Sequence, residues 1–585
     1  MSPPSSYHDN VQLHSYQDDA PVTEEPDSPL PLGPDDSMTS QFTQPRWLQN
    51  APSFGSKWIQ RATASTKTLP RWLNQNQPSW LQRIAHFFRP RLTVAYVLWV
   101  IVALYILYCY IFWSPLFASK LPQYTGPHDV GAIDVEVPVE DPRQIVDGVS
   151  KSDRKPAFEL DTVLFTLYYP AVKGSRSSKP KHKWFPKPIN LIAEGYATAA
   201  HFNNFFSRPL FTFALWGLAS SIDIPAKVDV PLLGVSDKAD GEHLDRFPIV
   251  VLSHGDVSSR TDYTAYCGEL ASRGVVVAAI EHRDGSGPGT LVHLPDGKKK
   301  RVIFSRANQL EAKDPGEEVS NDDYRYKKLA FRDAEIQETI SVLEALNAGS
   351  GAKLFAQNYR KEGRTLDAWK KRLNISQTII AGHSFGATGA MQALKSANKT
   401  AASESRSIYR NPAIGGIILD PGKESGRLNT DIDVPLLIVH SDSWSKKYTI
   451  FYGSPHFDTV RDIARDVLKR CGATWFMTSL QTSHPSITDA PLIEPLLLSW
   501  TTGATIDVKE GLREYTRVSM EFLHYLRDGT RDGVLDIGAT HASYGNDTRT
   551  DLQKDKMGDM EKMGESVTKY WEVHVAPPPS FAEDE

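Results

Sequence analysis

With 585 residues, 40% of them hydrophobic and 10% aromatic, the chain exceeds one ordinary domain and can bury a large core. A formal charge of −5 and a pI near 6.4 exclude the globally basic surface that a nucleic-acid partner would call for. Three cysteines, Cys109, Cys267 and Cys471, are too few and too scattered for a disulfide framework or a C-x-x-C metal site. One Cys267–Cys471 bridge stays open as a pairing, and neither a metal nor a cofactor is expected.

Residues 1 to about 45 are rich in Ser, Pro, Asp and Gln and hold too little apolar surface to offset chain entropy, so disorder is expected there. From 46 to 91, Trp47, Trp58, Trp72 and Trp80 alternate with arginines and lysines, a mixture that suits an anionic membrane surface or a basic linker. Residues 92–113 carry no charge over 22 positions, which predicts a transmembrane helix. Arg83, Arg89 and Arg91 precede it, and only Lys120 follows closely. The positive-inside rule then places the N-terminus in the cytosol and the bulk of the chain in a lumen or outside the cell. Sequons at Asn374, Asn398 and Asn546 agree with that topology. Residues 114–155, with Pro122, Pro127, Pro138 and Pro142, read as a polar stalk.

A catalytic domain is expected over 156–545 and a polar tail over 546–585. Strands are predicted at 162–169, 248–253, 275–280, 414–419, 435–439 and 474–479, with helices over 262–273 and 322–346. The aromatic stretch 202–216, with Phe205, Phe206, Phe211 and Phe213, reads as an interfacial surface or a buried helix. Strands alternating with helices give a mostly parallel sheet covered on both faces.

Gly382-His383-Ser384-Phe385-Gly386 follows the apolar run 377–381 and is a G-x-S-x-G box between strand and helix. Small flanking residues permit the sharp turn that presents the Ser384 hydroxyl, and with this sheet it implies an α/β-hydrolase fold. Such a serine needs a base and an acid, in the chain order Ser, acid, His. His484, in the loop after the last predicted strand, fits the base; His440 lies in a strand, His456 in a loop, and His383 is the packing residue inside the box. Two acids fit equally, Asp420 after 417–419 and Asp442 after 437–441. The oxyanion donors are expected to be the backbone amides of Phe385 and of Asp256, which follows the His254-Gly255 strand exit.

Leu252-Ser253-His254-Gly255, the run from Ala271 to Ser286 containing Glu281-His282-Arg283-Asp284-Gly285, and the serine box together resemble the platelet-activating factor acetylhydrolase family, in its plasma and intracellular type II branch. The resemblance covers roughly 157–530. It implies Ser384 as nucleophile, Asp420 rather than Asp442 as acid, His484 as base, and Phe385 and Asp256 as oxyanion donors. It also implies calcium-independent hydrolysis of the sn-2 ester of phospholipids bearing short or oxidised acyl chains, with the phospholipid and the bilayer as partners. The chain departs from the family pattern at Ala387, at Asp256-Val257 and at Pro421-Gly422, positions that bear on the acyl pocket. A general carboxylesterase or lipase acting on neutral esters, and a silent hydrolase-like binding module, are the rival readings.

Overall fold

The computed structural model describes residues 93–579 apart from 113, 117, 152–153, 235–245, 312–317, 396–410, 496–501, 550–553 and 556–566. The expected disordered and Trp-containing region 1–91 and the sequon at Asn398 lie outside the described residues. Among the described residues, ten strands form the central sheet. In chain order they are β1 (Asp129–Gln144), β2 (Glu159–Ala171), β3 (Lys227–Val228), β4 (Phe247–Ser253), β5 (Val276–Ile280), β6 (Leu373–His383), β7 (Ala413–Leu419), β8 (Leu436–Ser441), β9 (Thr474–Ser479) and β10 (Trp571–Val575). Across the sheet they run β10-β9-β8-β7-β6-β4-β5-β2-β1-β3. Strands β5, β4, β6, β7, β8 and β9 are mutually parallel, while β2 is antiparallel to both β1 and β5, and β10 to β9.

The helices used below are α1 (Val94–Ile111), α2 (Ile189–Ala199), α3 (Ser207–Ala219), α4 (Thr264–Ala271), α5 (Asn321–Ala348), α6 (Phe385–Ala393), α7 (Asp442–Lys446), α8 (His456–Cys471) and α9 (Val508–Asp528). Alternation along the strands divides the core between two faces. In β4, Ile249 and Val251 pack with residues of α5, α6 and α8, whereas Val250 and Leu252 pack with residues of α4 and α9. Parallel strands buried on both faces read as continuous apolar runs, which is why the predicted strands match to within a few residues. Each fully buried Val, Leu or Ile contributes roughly 1.5–3 kcal/mol. Helix α5 starts where the Ser320 side chain accepts from the Asp323 amide at 3.1 Å, with Asp322 and Asp323 in its first turn, and ends at Gly349 at φ 107°. A hydroxyl cap, acids at the positive end and a left-handed glycine are the expected boundary signals. This doubly covered, mostly parallel sheet is the α/β-hydrolase fold expected from the sequence.

Two expectations are corrected. The segment read as a stalk supplies β1, whose Ile133, Val135, Val137 and Val139 are buried in the core. The polar tail supplies β10, whose Trp571 and Val573 are buried at the opposite edge of the sheet. Cys267 and Cys471, whose pairing the sequence left open, are both free. Of the other two sequons, Asn546 sits in an exposed short hairpin and Asn374 near the start of β6.

Helix α1 spans 18 residues with a mean hydropathy of 2.3, roughly 27 Å at 1.5 Å per residue. Its side chains are exposed nearly all round, and by length and composition it is apolar enough to cross a membrane. The ends of the predicted span, Leu92 and Trp113, lie outside the described residues. The aromatic stretch forms α3 and the loop before it, with Phe205, Phe206, Leu210, Phe213 and Trp216 exposed, so it is not a buried core helix.

Candidate active site

Every predicted site residue lies at the C-terminal end of a parallel strand, where open α/β sheets place their ligands. Ser384 joins β6 to α6 at φ 57°, ψ −122°, a conformation costly for a residue with a side chain and one that persists only where the surroundings enforce it. The glycines make the turn possible: a Cβ at Gly386 would come within 2.1 Å of the Ser253 carbonyl oxygen, and one at Gly382 within 2.1 Å of the Gly386 carbonyl oxygen.

His484, in the loop after β9, places Nε2 3.1 Å from Ser384 Oγ and Nδ1 2.8 Å from Asp420 Oδ2. Asp420 follows β7 and is buried; its Oδ1 accepts from the Ser441 amide at 2.6 Å and its Oδ2 from the Ser441 hydroxyl at 2.7 Å. Its remaining lone pairs face the imidazole, which fixes the ring with its proton on Nδ1 and a free lone pair on Nε2 toward the serine. Asp442 is turned elsewhere: its carboxylate accepts from the Gln481 amide, Lys446 Nζ and the Tyr544 hydroxyl. The structure therefore brings Ser384, His484 and Asp420 together and leaves Asp442 outside.

The Phe385 amide heads α6 and the Asp256 amide follows the β4 exit, and neither makes a hydrogen bond among the described residues. Their segments are close, because a Cβ at Gly255 would meet Ser384 Cβ at 3.2 Å. Tyr263 joins the two: its hydroxyl accepts from the Gly255 amide at 3.1 Å and lies 2.9 Å from His383 Nδ1. Burial, with His484 alongside, pushes the His383 imidazole well below its usual range, so it stays neutral. This is the packing role expected for the residue inside the box.

Local sequence missed several contributors. Trp444, in α7, stacks on His484 with ring centroids 4.0 Å apart at 12° and donates Nε1–H to the Pro421 carbonyl. His456, expected in a loop, is the first residue of α8, and its ring stacks on that of the buried His440. The Glu281–Gly285 string builds a buried polar network: Glu281 pairs with Arg260, Arg283 with Glu136 and Asp284 with Arg332, while His282, which burial keeps neutral, hydrogen-bonds Glu335. His383, Asp420 and His484 offer metal-type ligand atoms within 4.8 Å of one another, but the hydrogen bonds above already occupy Asp420 and His484 with each other.

The family model for platelet-activating factor acetylhydrolase, isoform II, matches residues 116–535. The chain is similar to the platelet-activating factor acetylhydrolase of Cavia porcellus, 25% identical over 280 residues, covering 47% of this chain and 52% of that protein. It is also similar to that of Canis lupus familiaris, 29% identical over 279 residues with the same coverage. The chain thus spans about half the length of these curated relatives. Among solved structures, a ferulic acid esterase from Streptomyces cinnamoneus aligns with a TM-score of 0.44 and 16% identity, over 71% of this chain and 95% of that one.

Proposed function

The chain belongs to the family of platelet-activating factor acetylhydrolase, isoform II, and from that premise we propose that it is a serine esterase acting on the sn-2 ester of phospholipids with short or oxidised acyl chains. The observation that carries the proposal is the unbroken relay from Ser384 Oγ through His484 to Asp420, at 3.1 and 2.8 Å. Ser384 Oγ attacks the ester carbonyl while His484 Nε2 takes its proton, and Asp420 stabilises the resulting imidazolium. The tetrahedral oxyanion meets the Phe385 and Asp256 amides. His484 returns the proton to the leaving lysophospholipid oxygen. Water, deprotonated by the same histidine, then frees the acyl group from Ser384. The developing negative charge is met by amide donors and the proton by the His484 relay throughout, so calcium independence is part of the proposal.

Helix α1 is proposed as a single-pass anchor, with the N-terminus cytosolic and the catalytic domain lumenal or extracellular. The exposed aromatic face of α3 supports a bilayer partner, since the Leu116 amide just after α1 donates to the Gly217 carbonyl in α3 at 3.3 Å. An anchor and an aromatic surface tied to its end would hold the site beside lipid.

The test is acyl release by the full-length protein in detergent micelles, with sn-2 acetyl, oxidised and long-chain phosphatidylcholines and neutral esters, with and without chelator, beside Ser384→Ala. Turnover of short and oxidised chains, unaffected by chelator and abolished in Ser384→Ala, is expected. Turnover confined to neutral esters would move the substrate class. No turnover, and no labelling of Ser384 by a fluorophosphonate, would leave the silent-module reading in its place.

A further inference from the structure

We infer that Arg332 is a positioning residue for the oxyanion hole, a single guanidinium that ties the strand exit carrying the Asp256 amide to the elbow carrying the Phe385 amide. The inference rests on the serine-esterase reading above. Arg332 lies in α5, fully buried, and no local motif marks it. Its NH1 donates to the His254 carbonyl at 2.6 Å and to Ser253 Oγ at 3.2 Å, its Nε to Asp284 Oδ2 at 2.8 Å, and its NH2 to Ser286 Oγ at 2.6 Å. The guanidinium carbon sits 4.4 Å from the centre of the Phe385 ring. One planar group thus grips the end of β4 by its edge and the first residue of α6 by its face, a combination a point-charge ammonium cannot reproduce.

The segment it holds is one that would otherwise relax. Val257, one residue past Asp256, adopts φ 55°, a left-handed conformation that is a genuine outlier for a β-branched side chain. Its amide donates to the Ser286 carbonyl at 2.8 Å, and Ser286 is itself bound by Arg332. His254 is held from a second side, where its Nε2 accepts from the His282 amide at 3.1 Å and His282 Nε2 lies 2.7 Å from Ser253 Oγ. Burial alone would raise the Asp284 carboxyl, but Arg332 and Lys328 hold it at about 2, so the counter-charge is present at any working pH. The Glu281–Gly285 string thereby gains a function, because its Asp284 fixes the guanidinium that fixes the donors.

The experiment uses full-length protein in micelles, with competent sites counted by fluorophosphonate titration. It compares wild type with Arg332→Lys in kcat, KM, Tm and affinity for a trifluoromethyl ketone analogue, whose adduct with Ser384 places an oxyanion in the hole. A misplaced donor costs less than the roughly 10²- to 10³-fold of a lost one. The expected result is a kcat per competent site lowered by roughly 10- to 100-fold, KM within about threefold, and ketone affinity lowered by the same factor as kcat. A folded Arg332→Lys with unchanged kcat per site and unchanged ketone affinity, whatever its Tm, overturns the inference alone. If Arg332→Lys does not fold, Ser286→Ala decides: kcat and ketone affinity falling together by roughly 3- to 10-fold supports the inference, and no change overturns it. A wild type that neither turns over ester nor binds the ketone removes the serine-esterase reading and this inference with it.

Discussion

Asp420→Asn separates the two candidate acids by chemistry. In the wild-type geometry, Asp420 Oδ2 is 2.8 Å from His484 Nδ1, and Ser441 supplies an amide to Oδ1 and a hydroxyl to Oδ2. An asparagine keeps its carbonyl oxygen on the Ser441 amide and turns its NH2 toward His484 Nδ1. The imidazole must then accept at Nδ1 and carry its proton on Nε2, the nitrogen that has to take the proton of Ser384. The loss combines a charge-assisted hydrogen bond, about 1.5–3 kcal/mol, with the wrong tautomer and an unstabilised imidazolium, for a total of about 4–5.5 kcal/mol, or 10³- to 10⁴-fold in kcat. Among the described residues the Asp442 side chain bonds Gln481, Lys446 and Tyr544, and Lys446 is 60% exposed, so its ion pair is screened and worth little. The kcat of Asp442→Asn is expected within about threefold of wild type. The assay is kcat per titrated site on the best ester, with circular dichroism to confirm folding. An Asp420→Asn enzyme within tenfold of wild type, or an inactive but folded Asp442→Asn, would refute the reasoning.

Trp444→Leu removes the platform on which His484 lies; kcat should fall roughly tenfold as the imidazole samples unproductive orientations, Trp444→Phe should recover most of it, and equal rates for all three would exclude the platform. Burial depresses His574, which lies in β10 and makes no direct contact with the relay, to about 3. Its folded pKa is thus below the unfolded value, so the unfolded chain binds a proton that the fold refuses, and stability falls as pH drops below about 6.5. His574→Gln retains a partner for Thr478 without this penalty. Relative to wild type it should gain about 2 kcal/mol between pH 7.5 and pH 5, seen as a rise in its Tm relative to that of wild type; a Tm difference identical at the two pH values contradicts the assignment.

What the sequence disclosed and what it withheld follow from the range of the interactions involved. The parallel strands announce themselves because both of their faces are buried, and the elbow because only small residues survive the turn at Gly382 and Gly386. Strand β1 hid behind its prolines. Pro138 pairs with Thr162 on one side, while on the other β3 reaches Gly131 and Ala132 and residues 358–362 bond Asp134 and Glu136, so among the described residues no backbone acceptor waits at Pro138 and a missing N–H costs nothing. The alternation of Ile133, Val135, Val137 and Val139 was the signal to weigh against those prolines. Asp420 and Asp442 both follow strands with nearly the same local pattern. What parts them is Ser441 donating to one and Tyr544 to the other, partners 21 and 102 residues away in the chain. Arg332 and Trp444 carry no motif because their work is done wholly through residues remote in sequence. An arginine in a charged helix reads as solvated surface until the sheet brings His254, Asp284 and Phe385 around it. Short-range pattern therefore names the groups that react, while the groups that hold them in place become visible only once the chain has closed on itself.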